Sequence, residues 1–155
     1  MRRSSQGRAR KPAARRAAAA FDVAWAWWAL ALARLQVWLR PTGRLLGSDE
    51  PPAAPAAAPL ARERAVRLAR AVDRAARGPL RATCLVRAVA LHRLLQASGV
   101  DGSLVRIGVR AEGGRFAAHA WVEYHGAALG TDGARARSFL PLAPEALGPG
   151  AEFGR

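Results

Sequence analysis

The chain has a single cysteine, Cys84, in the stretch "RATCLVRAVALHRLLQASGV" (residues 81–100), where an apolar helical repeat begins. Free amides and the helix dipole at such a start favour a thiolate over a thiol, and the thiolate is the nucleophile. A nucleophilic cysteine also needs a base, usually a histidine, and a group that orients that histidine. The competing reading is that a free cysteine is a small buried hydrophobe. Three histidines are available. His92 follows Cys84 by eight residues on the same helix, more than two turns away, and reads as structural or surface. His125 stands beside Gly126 in a turn and reads as solvated. His119 lies mid-strand in "AAHAWVEY", between Ala118 and Ala120, whose small side chains leave room for a helix end or a substrate.

Strand periodicity puts His119, Trp121 and Glu123 on one face and Ala118, Ala120 and Val122 on the other. Asp132 ends a short strand expected beside His119. A carboxylate there can accept the imidazole N–H and fix its tautomer. The alternative for Asp132 is a turn residue before Gly133. Glu123, on the same strand as His119, is a second candidate.

These residues need elements to hold them. Thr83 is a candidate N-cap for the helix that Cys84 opens. Leu85, Val89, Leu91, Leu94 and Leu95 supply its apolar face, and Gly99 fits the left-handed C-cap. Residues 60–77 repeat with helical period (Leu60, Val66, Leu68, Ala69, Val72) and stop at Gly78-Pro79. Residues 103–110 and 115–126 alternate as strands around a turn at 112–114, with short strands at 127–131 and 138–142. Helices first, then a small antiparallel meander, make an α+β fold.

Upstream, residues 21–39 ("FDVAWAWWALALARLQVWL") form a helix ended by Pro41. Trp25, Trp28, Leu32, Leu35 and Leu39 share a face expected to pack on the body, with a membrane surface or a partner as the rival. Its uninterrupted apolar part, residues 23–33, is too short to span a bilayer. The expected organisation is a disordered basic tail (1–20), an apolar helical region (21–46), a Pro/Ala linker (47–59), the core (60–145) and a C-terminal tail (146–155).

The 155 residues suggest one domain, and with 51% apolar residues a core can be buried. One cysteine forms no internal disulfide, so nothing points to an oxidising compartment and the expected location is cytoplasmic. The net charge of +14 is concentrated at the start: residues 1–20 carry Arg2, Arg3, Arg8, Arg10, Lys11, Arg15 and Arg16 and no acid. Such a tail suits an acidic partner, anionic lipid or nucleic acid, or is simply solvated. Apart from Lys11 every basic residue is arginine, which also fits a GC-rich genome.

The string "TCLVRAVALHRLLQASGV", then "LVRIGVR", then "AAHAWVEYHG", then an aspartate resembles the transglutaminase-like cysteine peptidases. The resemblance is closest to the stand-alone leader peptidase of lasso-peptide biosynthesis. It covers residues 60–142, and more loosely 32–47; residues 1–20 and the Pro/Ala linker have no counterpart. It implies a transglutaminase/papain-like core with Cys84 as nucleophile, His119 as general base and acid, and Asp132 as orienter, and it requires no cofactor. The implied substrate is a lasso precursor peptide, cut between leader and core, whose freed amine passes to an ATP-dependent macrolactam synthetase. In that family a threonine near the leader's end is commonly read by the peptidase, and the Trp121 face is the place to seek its pocket. A separate leader-recognition protein is the implied partner. Residues 21–39 are a candidate docking surface for that protein, for the synthetase or for a membrane.

Three other readings stand beside this one. A zinc site lacks the closely spaced ligand pairs that zinc favours. An acyltransferase would use the same triad with an amine as acceptor. A non-catalytic basic module binding nucleic acid rests on charge alone, without a recognisable binding motif, so no specific nucleic acid is expected.

Overall fold

The computed structural model describes residues 7–39, 58–79, 82–130 and 133–142. Helices α1 (Gly7–Leu39), α2 (Pro59–Ala76) and α3 (Cys84–Ala97) precede a sheet of β1 (Ser103–Glu112), β2 (Arg115–Tyr124), β3 (Ala127–Leu129) and β4 (Leu140–Pro141), with a short helix α4 (Gly133–Arg137) before β4. The fold is α+β. The linker residues 47–57 and the tail 146–155 lie outside the described residues.

Alanine sets how closely the helices approach. Helix α2 starts with Pro59, pre-shaped for a first turn. It buries Ala65, Leu68, Ala69, Ala71, Val72 and Ala75, whereas Leu60, expected on the apolar face, is exposed. Against this small-residue surface α1 lays Ala26, Leu30 and Ala33, and the Asp22 carboxylate at its edge pairs with Arg67 Nε at 3.0 Å. The tryptophan face of α1 is therefore not the packed one. Of the five residues expected to pack, Trp28, Leu32, Leu35 and Leu39 point outward and Trp25 alone packs partly against the core, beside Trp27. Both faces of this helix are apolar, and the one rich in alanine fits the groove. Helix α1 also starts at Gly7, inside the stretch expected to be disordered; Ala and Arg are among the strongest helix formers.

Helix α3 begins and ends on side chains legible in the sequence. Thr83 Oγ1 accepts the Val86 N–H at 3.4 Å. At the other end Gly99 takes φ +67°, the Val100 N–H donates to the Leu95 carbonyl at 2.9 Å and the Gly99 N–H to the Gln96 carbonyl at 3.0 Å, the Schellman pattern.

The sheet order is β3-β2-β1-β4. Strands β1 and β2 pair along ten residues each, joined by Gly113 and Gly114 at φ +56° and +77°, the left-handed pair that a type I′ hairpin needs. Among the described residues the third strand is shorter than expected and pairs with Val122–Tyr124 in β2. Ala120, Val122 and Tyr124 face the helices and join their core. Trp121, Ala136 and Phe139 form a second small cluster.

Candidate active site

Cys84 is the first residue of α3 and is half-buried. Its cavity, about 510 Å³, lies between the helices α2 and α3 and strand β2. Ala118, Ala120 and Val122 line it from one pleat face of the strand, His119 and Trp121 from the other. The helices contribute Asp73 and Arg87, and Gly130 and Arg135 close the side beyond β3. The cysteine at a helix start and the mid-strand histidine thus meet one space, and the alanines flanking His119 form part of its wall.

The imidazole of His119 is held by aromatic rings. It stacks on Trp121 at 6.2 Å between centroids, inclined 19°, and lies 5.3 Å from the Phe139 ring. Phe139 is buried and also carries the Arg110 guanidinium 5.1 Å from its centroid. Burial pushes the His119 pKa below its ordinary value, and the charges of Arg135 and then Arg87 push it the same way. A histidine so placed stays neutral near pH 7, the form that can take a proton.

The rings can gather there because β1 has a glycine opposite His119. Gly108 and His119 are register partners. A methyl group on Gly108 would come within 2.9 Å of the Leu140 carbonyl oxygen and of Phe139 Cβ, and within 3.0 Å of Trp121 Cη2.

The other sequence candidates fall elsewhere. Asp132 lies outside the described residues; the described chain reaches Gly130 on the cavity wall and resumes at Gly133. Glu123 pairs with Arg106 at 3.4 Å and lines an adjoining cavity of about 480 Å³. His92 shares a hydrogen bond with Ser103 at 3.0 Å, tying α3 to β1. His125 occupies the turn at φ +47°, half-buried rather than fully solvated, with its ring against Gly102 and Tyr124. Among the described residues, no three His, Cys, Asp or Glu side chains gather to hold a metal ion.

Sequence reasoning missed the ion pair of Arg87 with Asp73, which joins α3 to α2 on the cavity wall. Its one signal was spacing: Arg87 follows Cys84 by three residues, which puts both on one side of the helix.

A family model described as the transglutaminase-like superfamily matches residues 26–143. The chain belongs to the transglutaminase-like superfamily. Comparison with curated proteins and with solved structures returned no match. The match takes in the packed half of α1 as well as α2, α3 and the sheet, so helix α1 from Ala26 onward is part of the transglutaminase-like core. Cysteine peptidase and acyl-transfer chemistry are what such a core suggests, and a cysteine and a neutral histidine facing one cavity are the groups that either reaction needs.

Proposed function

We propose that this protein is a cysteine peptidase that removes the leader from a ribosomally made lasso precursor peptide. The observation that carries the proposal is the single cavity shared by Cys84 and His119 within a transglutaminase-like core. The substrate class rests on the resemblance of the Cys84, Gly108 and His119 segments to the stand-alone lasso leader peptidases.

In this reading His119 takes the Cys84 proton as the sulfur attacks the scissile carbonyl carbon. The new C–S bond pushes the carbonyl electron pair onto oxygen. Collapse breaks the C–N bond, and His119 returns the proton to the leaving amine, which is the N-terminus of the core peptide. The leader remains as a thioester on Cys84. Water, deprotonated by His119, attacks that thioester; the leader departs as a carboxylic acid and the sulfur regains its proton. Asp132 accepts the second imidazole N–H and keeps the ring in the productive tautomer. A separate leader-recognition protein presents the precursor, and the freed amine serves an ATP-dependent macrolactam synthetase. Trp121 lines both the Cys84 cavity and the adjoining one, and the threonine near the leader's end is read against it.

The test is a mass-spectrometric cleavage assay with the cognate precursor and the leader-recognition protein. A cut at the leader–core junction that is lost in Cys84→Ala and His119→Ala supports the proposal. In Asp132→Asn the rate should fall by about two to four orders of magnitude. Transfer of the acyl group to an added amine, with no hydrolysis, would make the protein an acyltransferase instead. No product with a folded enzyme and both partners present would remove the peptidase reading.

A further inference from the structure

We propose that the outward face of α1 docks the protein on an anionic lipid surface, lying in the headgroup region and not crossing it. The proposal rests on α1 and its packing on α2 and α3, and does not depend on the peptidase reading.

Helix α1 has two apolar faces with separate uses. Asp22, Ala26, Leu30 and Ala33, spaced four, four and three residues apart, are buried. Phe21, Trp28, Leu32, Leu35 and Leu39, spaced seven, four, three and four apart, are each 47% exposed or more. Leu30 and Leu32 differ by two residues, about 200° of helix rotation, so the exposed stripe lies opposite the buried one. Trp38, at 82% exposure, flanks the stripe.

Charge selects the occupant. Upstream the same helix carries Arg8, Arg10, Lys11, Arg15 and Arg16, with no acid before Asp22. A basic segment continuous with a Trp/Leu stripe matches a surface that is negative at the headgroups and apolar just beneath them. A protein partner would have to supply an acidic patch and an apolar groove in that same order along one helix.

Packing excludes a span. Arg16–Leu39 is long and apolar enough to cross a bilayer by length and composition. Its inner face, however, is committed to α2 and α3, and Asp22 is ion-paired to Arg67 of α2. Leaving the body would carry that carboxylate into hydrocarbon without its partner.

Vesicle flotation of the full chain tests the proposal. Four of the five tryptophans lie on α1, so fluorescence reports mainly on this helix. Phosphatidylcholine vesicles are compared with vesicles containing about one-third phosphatidylglycerol. The expected result is a blue shift and about tenfold or more binding to the anionic vesicles, weakening as salt rises from about 0.1 to about 0.5 M. The variant with Trp28→Gln, Leu32→Gln and Leu35→Gln, checked for retained helicity, should lose binding. Replacing the five upstream basic residues with Gln should lower binding by about tenfold or more. Equal binding to neutral vesicles, or a stripe variant that floats like wild type, would overturn the proposal. So would a chain that ignores vesicles but needs the stripe to hold the leader-recognition protein, which would make this face a protein interface.

Discussion

At the scale of single residues, the account turns on the charge state of His119. Burial and two arginines favour its neutral form, so the fraction able to accept a proton falls only when pH drops below the ordinary histidine value of 6.5. The acid limb of kcat/KM should therefore lie below that value. Arg135→Gln removes one of the depressing charges and should move the limb upward, and Arg87→Gln should do the same. Asp73→Asn should move it downward, because Arg87 then faces the cavity without its counter-charge. A pH–rate series on the four proteins checks these directions; a limb above 6.5 in wild type, or one that ignores Arg135, would contradict them. Cys84 and His119 stood out from residue type and local pattern, because a lone cysteine at a capped helix start and a histidine between alanines are unusual. Their meeting was legible only through the family resemblance, since no periodicity measures the distance between a helix start and a strand edge. The Asp73–Arg87 pair was hidden for the same reason: it depends on how α2 packs on α3.

At the scale of elements, Gly108 shows how a strand interior serves the site. Gly108→Ala would press a methyl group on Leu140, Phe139 and Trp121, the packing that supports the imidazole. Overpacking of this kind costs about 1–3 kcal/mol, and the variant should lose both urea resistance and near-UV aromatic ellipticity. A variant as stable as wild type would mean that the aromatic cluster yields easily. His92 couples α3 to β1, and its pKa is lowered by burial first and by Arg93 second. With the folded value below the unfolded 6.5, the unfolded chain binds more protons between the two. The stability from a neutral His92 is thus complete above 6.5 and is lost as pH falls from there towards the folded value. His119 acts with the same sign, so urea midpoints are compared between wild type and His92→Gln; the variant should show the shallower fall. Helix α3 and the β1–β2 hairpin were readable from caps, period and the glycine pair. Helix α4 was not, because a five-residue turn has no period to detect. The outward face of α1 was misjudged because both its faces are apolar, and only the groove offered by α2 and α3 decides which is buried.

At the scale of the whole molecule, helices supply the cysteine and an ion pair, the sheet supplies the histidine, and both line one cavity between them. This division explains why the sequence order of helices followed by sheet was enough to give the α+β class while the cavity itself was not visible. The central claim is that Cys84 and His119 act on one another across that space. Because Cys84 is the only cysteine, its alkylation by iodoacetamide can be followed on the intact chain by mass with no ambiguity of site. The account predicts that at neutral pH the wild-type thiol reacts about tenfold or more faster than the thiol of His119→Ala, since the imidazole takes its proton. Equal rates in two folded proteins would contradict it and leave Cys84 as a thiol that only shares a cavity with a histidine.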